Sequence, residues 1–348
     1  MNKKKRLIIK LIALFLCTSV IYFFVYNNAA SYDDPIAKVT NIDGAKITAE
    51  LVNGDNKGEK IELTHEYEPS LVYDEKYHEG NFLFVSYSEV KDAWSIMGMK
   101  RDYIIVLVLL ILFDLLLIVG QKQGFYTVLG LCVNVLIFIF AMSLFDKGSN
   151  ILVLSIIMTI FFACLILLLI NGWNRNTLLS IFSTLSSVLI IGVISTLVIY
   201  YGPEISYDFM EFMPQPHSKG EANLVLISEI LIGGLGVIMD ISITITTCAT
   251  ELIDKNPIIS KNALVNSCKK VSNDITGTMI NVVLLTNIAS FLPVFVLAVN
   301  NEFRISTIIK NNMFFEIVRF LTGSIGIVLT IPLAIFIVTK FRRRLEIS

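Results

Sequence analysis

Glu229, Gly233, Gly236, Asp240, Thr244, Thr247 and Glu251 recur at spacings of 4, 3, 4, 4, 3 and 4 through the stretch SEILIGGLGVIMDISITITTCATELID. At the turn angle of an α-helix these residues form one continuous face. Glu229 and Asp240 stand eleven residues apart, about 16 Å of rise with only about 20° of rotation. The opposite side, with Ile230, Leu231, Val237, Ile238 and Ile241, is for packing or lipid. Carboxylates interleaved with glycine and threonine suit proton or cation handling. In an apolar medium each such carboxylate costs several kcal/mol unless it faces a bundle interior or a wet cavity.

A second polar face follows in NDITGTMINVVLLTN, where Asp274, Thr278 and Asn281 are spaced by 4 and 3 and Gly277 adds a small contact. A connection of about twenty residues makes the two segments an expected antiparallel pair. Glu229, Gly233, Gly236, Asp240, Thr244, Asp274, Thr278 and Asn281 are thus the candidate residues for binding or coupling a small solute or ion. The GGLG run, residues 233 to 236, reads either as a helix break that exposes backbone groups or as a place for close helix packing. Asp114, alone in LILFDLLLI, reads as a packing or pairing residue or as a functional one. Asn134 and the Glu316/Arg319 pair read as structural hydrogen bonds and a local ion pair.

The elements that must carry these residues are membrane spans. The chain has 348 residues, 55% hydrophobic and 16% charged, with a mean hydropathy of +0.72. Apolar spans are expected near the amino end after the basic cluster NKKKR, where an uncleaved anchor is favoured over a signal peptide. Others are expected at about 103–119, 125–145, 151–170, 178–200, 224–252, 275–299 and 313–339. That makes about eight. Lys and Arg in short loops and tails cluster on one side, from Lys3 to Lys10 and at Lys122, Arg175, Lys255, Lys261, Lys269, Lys270 and the carboxyl end. Both termini are therefore expected in the cytoplasm of a multi-pass cell-membrane protein. The acidic loop 201–222 falls outside. The span 224–252 is too long, about 43 Å as a helix against a core of about 30 Å, so it projects or breaks.

Residues 1–30 thus read as an anchor, 31–100 as an extracytoplasmic domain and 101–348 as seven further helices. The insert reads as β structure in IAKVTNI, AKITAELV, EKIELTHEY and NFLFVSYSEV, separated by the turns IDGAK, NGDNKGEK and HEGN. A small open barrel of about five strands, OB-like, fits its length. It reads either as a cap on the membrane part or as a platform for a ligand or partner.

Several classes fall away. The five cysteines lie in or beside the spans on the cytoplasmic side, so no disulfide is expected outside. His65, His78 and His217 have no metal-ligand spacing, no phosphate-binding loop is present, and no cofactor is expected. Net charge is −1 and no basic, aromatic patch points to nucleic acid. Partners are the lipid bilayer and a small solute or ion, with a second copy or a paralogous membrane protein left open.

GGLGVIMDISITITTCATEL followed by DITGTMINVVLL resembles the signature of the YibE/F family of bacterial multipass membrane proteins. GQKQGFYTVLGL, residues 120–131, resembles the family's turn after the second span, and the likeness covers nearly the whole chain. Where the family commonly has a basic residue before the second aspartate, this chain has Asn273. The resemblance implies the fold and the site but no substrate. A transporter or permease, proton- or cation-coupled, is the leading expectation. A non-enzymatic scaffold or assembly partner acting through the β domain is the main rival. An intramembrane hydrolase ranks last, since no histidine lies in a span and G-x-G-D is missing.

Overall fold

The computed structural model describes residues 3–70, 74–202, 207, 218–311 and 313–343. Most of the expected outer loop, with His217 and Asp208, lies outside them, as does Arg344. The chain forms two compact units, Met1–Phe125 and Tyr126–Ser348.

In the first unit, helix α1 (Lys3–Tyr26) leads through a short 3-10 turn, Asn28–Ser31, into five strands: β1 (Ile36–Asp43), β2 (Lys46–Leu51), β3 (Lys60–Thr64), β4 (Phe82–Ser88) and β5 (Ala93–Met99). They make one antiparallel sheet in the order β3-β2-β1-β4-β5. Alternation built it. Ala37, Val39, Ile47, Ala49, Leu51, Ile61, Leu63, Leu83 and Val85 point to one buried face. The β1–β2 turn needs Gly44, which sits at φ +57°. Bulges between Val39 and Asn41 and between Phe84 and Val85 bend the sheet, and β3 and β5 approach each other at its two ends.

Lys100, only 1% exposed, closes this unit. Its ammonium meets the Asp102 carboxylate at 2.7 Å, donates to the Val25 carbonyl at 3.1 Å and lies within 6 Å of the rings of Tyr32, Phe82 and Tyr103. Asp102 also accepts from the Tyr32 hydroxyl at 2.9 Å and from Asn28 Nδ2 at 3.1 Å. Burial, then the Asp102 carboxylate, pushes the Tyr32 phenol above its usual range. Asn53, buried beside it, accepts from Ile36 N and donates to the carbonyls of Tyr32 and Asp34. In the helices of this unit, Thr18 donates to Asp114 at 2.8 Å, so Asp114 has a hydrogen-bond partner.

Helix α2 (Asp102–Asp146) is interrupted at Gln121, whose φ of 47° and ψ of −115° are not helical. The chain doubles back closely enough that a Cβ on Gly124 would lie 1.8 Å from the Leu116 carbonyl oxygen. Only glycine fits there, which accounts for the turn expected at 120–131. The interruption separates the two spans expected at about 103–119 and 125–145.

The second unit contains α3 (Ile151–Asn171), α4 (Arg175–Tyr201), α5 (Lys219–Lys255), α6 (Lys261–Asn300), the short α7 (Ile305–Asn311) and α8 (Phe314–Arg343). Helices α4, α5 and α8 pack mutually around Ile191, Ile227, Ile230 and Ile238. Gly326 of α8 admits the Ile191 side chain, which a Cβ would meet at 2.0 Å. Hydroxyls tie α4 to α5: Ser180 and Thr246 share a hydrogen bond, and Ser242 donates to the Ser180 carbonyl at 2.9 Å. Ser218 and Glu221 cap α5 reciprocally.

Among the described residues, α2, α3, α4, α5, α6 and α8 are long and apolar enough to cross a membrane. This is a helical membrane protein with a small antiparallel sheet near its amino end. One alternative is removed: α5 runs through Gly233–Gly236 without a break. Its opposite side keeps the helix continuous. Ile230, Leu231, Leu235 and Ile238 are buried against neighbours, and that packing outweighs the helix cost of about 1 kcal/mol per glycine.

Candidate functional site

A cavity of about 590 Å³ opens between α5, α6 and α8. Ile230, Val237, Val282, Val283 and Ile327 give it apolar walls, and Gly233, Gly234 and Gly323 keep it wide. Its polar groups are Glu229, Thr286, Asn287, Ser290 and Arg319. Arg319 is the centre. Its Nε donates to Asn287 Oδ1 at 2.6 Å, Nη1 to Glu229 Oε1 and Nη2 to Glu316 Oε2. Asn287 Nδ2 donates in turn to the Val283 carbonyl at 2.7 Å, which orients the amide oxygen towards Arg319. The planar, forked guanidinium can serve three acceptors from three helices at once, which an ammonium does poorly.

The two carboxylates differ in setting. Glu229 is 44% exposed and opens on the cavity, whereas Glu316 is 22% and Arg319 20% exposed. Two carboxylates around one guanidinium leave one net negative charge, which favours a proton or a cation in the cavity.

Of the residues expected from sequence, Glu229 and Gly233 line this cavity. Gly236 and Asp240 continue along the same face of α5, exposed; Thr244 is half-buried. A Cβ on Gly233 or Gly236 would meet nothing within 4 Å, so neither serves close helix packing inside this chain. Thr244 donates to the Asp240 carbonyl at 2.7 Å. Asp274, Thr278 and Asn281 lie exposed on α6, where Thr278 and Asn281 bond back to the carbonyls of Asp274 and Gly277. The structure therefore gathers the amino-terminal part of the α5 stripe with α6 and α8, while the aspartates stand on open faces of their helices.

A sequence model described as YibE/F-like protein matches residues 108–344, and one for the YibE/F family N-terminal domain matches residues 30–99. The chain belongs to the YibE/F-like family. No curated protein and no solved structure matches it.

The Arg319 network of this YibE/F-like protein was only partly expected. Glu316 and Arg319 read as a local pair, and Asn287, Thr286 and Ser290 were not singled out. The missed signal is depth. Glu229 lies about five residues inside its span and Arg319 about six inside its own, on the same side by the charge-based register, so an arginine and a glutamate shared one level.

Proposed function

We propose that this YibE/F-like protein is a transporter or permease for a small solute or ion, coupled to protons or cations. The observation that carries it is the cavity in which Arg319 bridges Glu229 and Glu316 at the meeting of three apolar helices. Charged groups inside a membrane bundle mark ion or substrate pathways by default. Proton binding at Glu229, or arrival of a cation there, weakens its hold on Arg319, and so links occupancy to the contact between α5 and α8. Asp240 and Glu251 extend the same helix face and supply further coupling carboxylates.

The test is complementation of a deletion strain at matched protein level. Glu229→Gln and Asp240→Asn should insert normally yet lose at least about tenfold in activity, since each keeps shape and removes charge. Full complementation by both would move the reading to the scaffold role. That second reading has its own support: Tyr87, Val90 and Met97 of the β4–β5 hairpin are exposed, an apolar edge suited to a protein partner.

The finer topology belongs to the same proposal. In this reading helix α1, the two halves of α2, and α3, α4, α5, α6 and α8 are eight spans, with both termini in the cytoplasm and the sheet outside, a reading supported by the Lys/Arg asymmetry. The strand order and the approach of β3 to β5 support an OB-like barrel. Native Cys268 is fully buried and makes a poor reporter. In a cysteine-free background, Asn56→Cys should react with an impermeant thiol reagent on intact cells and Ile258→Cys, at a 92% exposed loop position, should not. Reversed labelling would invert the arrangement.

A further inference from the structure

Helix α6 carries a second pattern that the cavity does not use. Asp274, Thr278, Asn281, Leu285, Ile288 and Leu292 follow one another at spacings of 4, 3, 4, 3 and 4, and all six are exposed. Eighteen residues in about five turns keep the six positions on one line along the helix, the kind of strip that a neighbouring helix can follow across the membrane. From Asp274 to Leu292 it rises about 27 Å, close to the thickness of the hydrocarbon core. The side of α6 that faces its own chain is different: Leu264 and Cys268 are buried with α5 and α8 at one end, and Val283, Asn287 and Ser290 turn towards the cavity.

We propose that this seam is the contact by which two copies of the chain pair, α6 against α6, about a two-fold axis along the membrane normal. The chemistry of the seam selects a copy of itself. Asn281 presents an amide whose second N–H and whose oxygen remain after its bond to the Gly277 carbonyl, and an amide is donor and acceptor at once, so two of them across a two-fold satisfy each other. In lipid the apolar positions gain little by meeting, so a polar residue in the seam fixes register and drives association. Gly277, beside it, has nothing within 4 Å of a Cβ and lets the backbones approach. Leu285, Ile288 and Leu292 then supply alternating knobs over the rest of the span. Lys270, exposed one turn before Asp274, offsets the charge that two aspartates bring to one end of the interface.

The proposal stands apart from the transport reading, because none of the six residues lines the Arg319 cavity. It is tested by cysteine cross-linking of the full-length protein in native membranes, with the five natural cysteines replaced. Leu285→Cys, Ile288→Cys and Leu292→Cys should give an oxidised band at twice the chain mass. Val294→Cys, exposed on α6 but turned off the seam, and Leu189→Cys, exposed on α4, should give little. Separately, Asn281→Leu should raise the dimer dissociation constant in lipid bilayers about threefold to thirtyfold, the equivalent of about 0.6 to 2 kcal/mol, with Asn281→Gln recovering part of it. Equal cross-linking on and off the seam, a product with a different protein, or a monomer unaffected by Asn281→Leu would overturn the proposal.

Discussion

Arg319→Leu should abolish the proposed transport and also destabilise the bundle, and the two effects should come apart in a second variant. The substitution leaves Glu229 and Glu316 facing each other without their shared cation. Removing one partner of a buried ion pair costs about 3 to 5 kcal/mol. Glu229 is 44% exposed, so solvent screening reduces the figure here to about 2 to 3 kcal/mol. Thermal unfolding in detergent reads this as a lowered midpoint. Neutralising the whole set, with Glu229→Gln and Glu316→Gln added to Arg319→Leu, removes the stranded charges and should restore most of the stability, because a charged cluster and an uncharged one of like volume differ little. Activity should stay lost. A triple variant that is both stable and active would show that the cluster only holds the helices together. Arg319→Lys should fall between, keeping the charge but losing the forked contact to Asn287 and both carboxylates.

The sequence made much of this legible, for reasons that differ from element to element. Strands β1 to β4 were readable because alternate residues such as Val39, Ile47, Ala49 and Leu63 enter one core. Strand β5, AWSIMGM, is hard to read from sequence because it alternates only between exposed and half-buried residues, as befits the end of the sheet. The stripe on α5 was read correctly as one face, since helical geometry alone fixes it. Which neighbour the face meets is a tertiary fact, and periodicity is silent on it. So Glu229 and Gly233 of the stripe line a cavity with Asn287 and Arg319, while Asp240 and Asp274 stand exposed on their helices. The hydroxyl bridges of Ser180, Ser242 and Thr246 were hidden for a related reason: serine and threonine bond back to their own helix as readily as across to another. Of the readings open for GGLG, the break is the one the structure removes: glycine permits a bend without demanding one, and here a packed side opposite keeps the helix uninterrupted.

Lys100→Met should unfold the sheet-bearing unit more than any other single change there. A lysine between a strand and a span reads in sequence as an interfacial charge, yet this one is 1% exposed and its ammonium is held by Asp102 and the Val25 carbonyl. Methionine keeps most of the stem against Tyr32, Phe82 and Tyr103 but removes the charge. Asp102 then retains only Tyr32 and Asn28 as side-chain donors. The expected cost is about 2 to 4 kcal/mol, since a carboxylate 24% exposed loses its cation and a half-buried carbonyl loses that donor. For a unit of this size that is a midpoint lower by at least about 8 °C. Trp94 packs against the sheet core and can report it by fluorescence once the only other tryptophan is changed, Trp173→Phe. Adding Asp102→Asn should return more than half of the loss, because the two groups act as one pair and a neutral amide can still accept from Tyr32. Tyr32 supplies an independent check by pH. Its folded-state ionisation is pushed up by burial and then by Asp102, so its contribution is whole below about pH 10, the unfolded value, and lost as pH rises through the folded one. Asp102→Asn should shrink that alkaline loss. If Lys100→Met shifts the Trp94 midpoint by less than about 2 °C, the buried lysine is a bystander and the aromatic contacts alone fasten the sheet to α1 and the start of α2.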